Sequence, residues 1–200
     1  MKRIVFVILV AALIAPVGLM AQKVYKDAAN RVILDMTDMA PSLVSSVAKY
    51  DAGPYNTTTI TNGAYIGGNN TISSNENAKV YRKLQIAPKD FDGSGLSDGS
   101  SLSWQNAFLG CKNLNYNGTG WRLPTQRELM MMYVFRIAFD AIFTEMGSSV
   151  ASPFGVSACW SATEGDTGNT AYYINFLNSY QAGVAKNSPF RVRCVREVTP

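Results

Sequence analysis

Nothing constrains this chain more than the dozen residues Gly118-Thr119-Gly120-Trp121-Arg122-Leu123-Pro124-Thr125-Gln126-Arg127-Glu128-Leu129. Gly118 and Gly120 permit the positive φ of a tight turn, and Pro124 pushes Leu123 towards extended backbone. Thr125 and Glu128 spell the capping box T-x-x-E, so a helix begins at about Gln126. In the extended link Trp121 and Leu123 share one face and Arg122 takes the other. That alternation sends the indole into a core and the guanidinium towards solvent or a partner.

Around this turn the patterning predicts two helices and several strands. Upstream, Trp104, Ala107, Phe108 and Cys111 recur at i, i+3, i+4 and i+7, the mark of one buried helix face, with Ser101 or Ser103 as cap. Downstream, the run from Gln126 to about Met146 is apolar on nearly every side, which suits a buried helix. Asp140 and Glu145 fall late in it, where acids oppose the dipole, so two helical pieces are expected before Gly147 stops the run. Val32–Met36 is the first strand candidate, and Lys79–Ala87 alternates as a half-buried strand with Val80, Leu84 and Ile86 inward. Beyond Pro153, four stretches (157–163, 170–177, 181–186 and 190–198) read as a meander whose second strand, apolar on both faces, is central. In the last strand Val192 and Cys194 point inward, and Arg191 and Arg193 outward. The class expected is α+β, two helices packed on a mostly antiparallel sheet.

Three segments are expected. Residues 1–21 have the form of a secretory leader: Met1-Lys2-Arg3, an apolar run from Ile4 to Ile14 too short for a membrane span, and a small-residue cut after Ala21. Residues 22–78 read as an irregular β-rich segment with hairpin-type dipeptides at Asn62-Gly63 and Gly67-Gly68, and residues 79–200 as the α+β domain. The chain is therefore expected to be exported to the periplasm, cell surface or medium, with no membrane span once the leader is removed.

Loss of the leader takes Lys2 and Arg3, so 18 basic residues fall to 16 against 14 acidic ones, a net charge of +2. Such a balance gives no basic stripe for nucleic acid. The chain has no histidine, which excludes Ser-His-Asp and Cys-His catalysis and His-containing zinc sites. No enzyme activity and no cofactor are expected. Three cysteines in an exported chain suggest one disulfide and one spare thiol. Pairing Cys111 with Cys194 would pin the last strand to the first helix and leave Cys159, beside Trp160, as a small buried apolar side chain.

Four separated motifs then fall in order: Trp104-x-x-Ala107-x-x-x-Cys111, Gly120-Trp121-Arg122-Leu123-Pro124-Thr125-x-x-Glu128-Leu129, Trp160-Ser161-Ala162-Thr163-Glu164 and Arg193-Cys194-Val195-Arg196. Together, over about Lys79 to Val198, they resemble the family of the C-terminal domain of the Legionella collagen-like adhesin. The resemblance implies a C-type-lectin-like arrangement in which an early helix carries a cysteine bonded to the last strand, again Cys111 with Cys194. It also implies an envelope or secreted bacterial protein that adheres to glycans, sulfated glycosaminoglycans being the namesake's ligand class. This chain lacks the namesake's collagen-like repeats. Cys159 stands where family members commonly carry a hydroxyl-bearing aromatic.

Candidate binding residues follow from chemistry. Arg122, Arg191, Arg193 and Arg196, with Lys112, could hold sulfate or carboxylate groups through forked hydrogen bonds. Tyr172, Tyr173 and Tyr180 could stack on sugar rings. Asp90, Asp92, Ser94 and Asp98 follow the odd positions of a calcium loop, although the twelfth place is Ser101 rather than Glu, and a plain surface turn is the competing reading. The partners expected are glycans or sulfated polysaccharide, or other subunits of an envelope or fimbria-like assembly.

Overall fold

The computed structural model describes residues 23–37, 83–165 and 169–198. The leader and the dipeptides Asn62-Gly63 and Gly67-Gly68 lie outside these residues. Within them run strands β1 (Lys23–Lys26), β2 (Val32–Asp35) and β3 (Lys83–Ile86), then helices α1 (Trp104–Asn113), α2 (Gln126–Val134) and α3 (Arg136–Met146). Strands β4 (Ala158–Glu164), β5 (Thr170–Asn175), β6 (Gln181–Ala185) and β7 (Val195–Glu197) follow.

Two antiparallel sheets result, a four-stranded one ordered β1-β2-β3-β7 and a three-stranded one ordered β4-β5-β6. The class is α+β, and β5 is central in its sheet as its two apolar faces require. The expected meander is corrected in its last member. Residues 190–197 leave it to stitch the two sheets together: Arg191 exchanges backbone bonds with Ala158 and Trp160, then Val192 and Cys194 accept from Phe91 and Ala87, and β7 closes on β3. β1 and β2 extend the same four-stranded sheet, so the described part of the N-terminal segment belongs to the domain's framework. β2 and β3 are direct neighbours although residues 36–82 separate them.

The helices obey their local signals. Ser103 caps α1, and Thr125 and Glu128 form the reciprocal capping box that opens α2. The long apolar run breaks at Phe135, whose φ of −95° and ψ of 11° leave the helical region and give the two expected pieces. They are buried on one side only. Leu129, Met132, Phe139 and Phe143 enter the core, whereas Val134 and Ile137 are 60% and 78% exposed. α3 is tied to β1 by Lys26 and Glu145, 3.0 Å apart, and to the following loop by Asp140, which accepts from the Phe154 N–H at 2.8 Å.

Two tryptophans centre the core between α1 and β4. Trp104 donates to the Ser161 carbonyl at 2.7 Å and Trp160 to the Leu102 carbonyl at 2.8 Å, so each buried indole N–H is satisfied across the helix–sheet interface. A second cluster stacks Phe154 on Phe176 at 4.8 Å, with Phe139 and Phe143 set edge-on to Phe154. Cys111 and Cys194 are bonded, which pins α1 to the strap before β7, and Cys159 is a buried free thiol.

Candidate functional site

An open-sided cleft of about 850 Å³ lies between α1 and the loop that follows β3. The loop rim is organised by Asp92. Asp92 accepts at Oδ1 from the backbone of Ser94 and Gly95 and from the Ser94 hydroxyl, at 2.8 to 2.9 Å, and Phe91 bridges to Leu96 across the turn. The Ser94 and Gly95 N–H groups hold the Asp92 carboxyl below its ordinary pKa. On the opposite wall α1 presents Asn106, Leu109, Gly110 and Asn113, and the chain leaving the helix adds Asn115 and Tyr116. Spaced i, i+3, i+4 and i+7, the four helical residues form one stripe beside the buried stripe of Trp104 and Cys111.

Close packing fixes the wall distance. A Cβ on Gly110 would stand 2.1 Å from the Phe91 ring, so only glycine lets the phenyl lie against the helix. Tyr116 is held from behind by Trp121, whose Nε1 donates to the Tyr116 carbonyl at 3.0 Å and whose ring sits 6.2 Å away. The glycine turn at Gly118 and Gly120, both at positive φ, therefore serves to seat Trp121 under this end of the cleft.

The predicted arginines are drawn inward instead of converging on a ligand. Arg122 makes a forked bond with the buried Glu128, at 2.7 and 2.9 Å, and lies 3.5 Å from Glu197. Arg193 is corrected outright: expected to point outward, it is fully buried, with Nε 2.8 Å from Asp90 and its terminal nitrogens donating to the carbonyls of Ala87 and Ser152. The strap is not a regular strand there, so strict alternation does not set its faces. Arg191 shares Asp90 at 3.0 Å, and Arg196 donates to Gln85 and to the Asn117 carbonyl while its guanidinium covers Trp121 at 4.7 Å. The bond from Arg196 explains why Gln85 is buried in a strand expected to expose that face. Lys112 occupies the last turn of α1 but does not line the cleft.

The tyrosines divide as well. Tyr173 and Tyr180 lie 6.2 Å apart, and Tyr173 stacks on Phe190 at 4.4 Å, whereas Tyr172, one residue away on β5, takes the opposite face beside Gly183. Nor does the structure gather the calcium-type positions. The Asp90 carboxylate is engaged by two guanidinium groups, Asp92 caps its own turn, and Asp98 accepts from the Ser152 hydroxyl. Among the described residues no group of three acidic or sulfur side chains could hold a metal ion. Of all the residues proposed from sequence, Ser94 alone lines the cleft.

The four sequence motifs thus converge on one framework: Trp104 on Ser161, Cys111 on Cys194, Arg122 on Glu128 and, by a backbone bridge, on Val195. The sequence matches the Lcl C-terminal domain over residues 69–196. The chain belongs to this family. No curated protein matches it. In this Lcl C-terminal domain the motif residues hold the scaffold, and the cleft is lined by residues outside the motifs. Asn106, Asn113 and Asn115 carried no sequence signal of their own, since neutral amides on an exposed helix face fit any solvated surface. The usable clue was the second stripe on α1, with Asn106 and Asn113 seven residues apart and glycine between them.

Proposed function

We propose that this chain is a secreted or cell-surface bacterial binding module of adhesin type that recognises glycans. The observation carrying this reading is the cleft between α1 and the Asp92 turn, whose volume of about 850 Å³ falls in the range of small-ligand sites and whose walls mix amides with apolar and aromatic groups. The Cys111–Cys194 disulfide supports export, because such bonds persist in oxidising compartments. The framework that presents the cleft is cross-linked and anchored by buried tryptophans, so the site sits on rigid elements. Forked recognition of sulfate by the arginines is not the basis of this reading, since their guanidinium groups are committed within the fold.

A glycan array probed with the full exported chain tests it. Retention on at least one saccharide class is the expected result, and no retention on any would overturn the reading.

A second reading, a structural subunit of an envelope or fimbria-like assembly without a small ligand, draws on Val134 and Ile137, exposed at the joint between α2 and α3. It requires concentration-dependent oligomers that Ile137→Ser abolishes, measured by sedimentation.

A further inference from the structure

The geometry points to an uncharged saccharide as the cleft's ligand, held by Asn106, Asn113 and Asn115 over an apolar floor. This rests on the glycan-binding reading and narrows it to a class. No residue lining the cleft carries a charge. The nearest acid of the rim, Asp92, turns its carboxylate back onto Ser94 and Gly95, and the arginines lie in internal pairs elsewhere. A sulfated or carboxylated sugar would find no counter-charge here and would be desolvated without compensation.

What the walls do offer suits sugar hydroxyl and acetamido groups. The three asparagines are exposed, and no described residue engages their side-chain amides, leaving each with two donors and an acceptor for a ligand. The Ser94–Gly95 turn lies across from them with its N–H groups engaged by Asp92, and Phe91, Leu102 and Leu109 supply an apolar floor for pyranose C–H faces or an acetamido methyl. Tyr116, half-buried and backed by Trp121, closes one end with an amphipathic ring whose position is set by packing. Alternating donors, acceptors and apolar surface on a braced scaffold are what a neutral ring with equatorial hydroxyls needs, and they are distinct from the charge-based site sought among the arginines.

The test titrates the full exported chain with chitotriose, maltotriose and a heparin oligosaccharide, following the asparagine side-chain resonances by NMR and affinity by calorimetry. Expected is binding of a neutral oligosaccharide that shifts the Asn106 and Asn113 amide signals and changes less than about twofold from low to high salt. Asn106→Ala with Asn113→Ala should weaken it about tenfold with the melting temperature unchanged, since two ligand hydrogen bonds are lost and no internal one. Binding of heparin alone, lost in high salt and indifferent to the asparagine variants, would overturn the neutral cleft and leave glycan recognition standing. If neither class binds, here and on the array, the glycan reading itself falls.

Discussion

Arg193 donates from Nε to Asp90 Oδ1 at 2.8 Å with its side chain wholly removed from solvent and the carboxylate nearly so. A charge in that position is tolerable because the carboxylate and the carbonyls of Ala87 and Ser152 together replace its water. Asp90→Ala would leave the guanidinium buried and uncompensated, with an expected loss of about 3–5 kcal/mol in urea unfolding. Arg191→Ala removes the partner that is 31% exposed and should cost under about 1 kcal/mol. Equal losses from the two variants would place the stabilisation in the exposed Arg191 pair rather than in the buried Arg193, against the geometry.

Reduction of Cys111–Cys194 frees a strap that joins both sheets. The bond spans 83 positions, and removing so long a cross-link should lower stability by about 3–5 kcal/mol, read from denaturant midpoints with and without reductant. Cys159 should resist alkylation in the native state. Burial pushes its thiol well above the ordinary range, the nearby Asp90 charge adds to the shift, and the two arginines oppose it. Rapid labelling of native Cys159 would mean that the β4 region opens far more readily than its packing indicates.

Gly110 sits in a helix, where alanine ordinarily gains about 1 kcal/mol. Here the added Cβ would meet three atoms of the buried Phe91 ring at 2.1 to 2.9 Å. The clash should win, and Gly110→Ala is expected to destabilise by about 1–3 kcal/mol net and to weaken any cleft ligand by moving Phe91. Calorimetric melting decides the sign. A stabilised variant would place Phe91 away from the helix.

Acid should weaken the rim of the cleft and the β2–β3 seam over the same range of pH. Asp92 has its pKa lowered by the N–H groups of Ser94 and Gly95, and Asp35 is lowered because bonds from Thr37 and Lys83 outweigh the burial that opposes them. A carboxyl depressed in the folded state contributes stability that is complete above its ordinary value of 3.8 and disappears as pH falls through the lowered one. Urea midpoints should therefore hold steady down to about pH 5 and drop below it. Asp92→Asn should flatten part of that drop, and an unchanged acid slope would remove Asp92 from the account.

Features written in adjacent residues were legible in the sequence. The capping box needs only Thr125 and Glu128 in one turn, the division of the apolar run into two pieces was marked by Asp140 and Glu145 late in it, and the motif spacing placed both cysteines of the disulfide. The destination of long charged side chains was not legible. Arg193 and Cys194 are neighbours, yet both are buried, because residues 190–194 pass between sheets and each takes its contacts from a different element. The asparagines that line the cleft were not legible for a related reason. A guanidinium beside a conveniently placed carboxylate is drawn into the fold, while unengaged amides remain at the surface with nothing in their spacing to mark them except a glycine.

β2 and β3 lie side by side in register, although the stretch between Asp35 and Lys83 must leave and return at that seam. Both ends are fastened by an antiparallel ladder, and the entropy of closing such an excursion grows by only about 0.6 kcal/mol for each doubling of its length. A ladder between strands so far apart in sequence gains nothing until the chain has closed on itself, so this seam is expected to be among the slowest parts of the sheet to form.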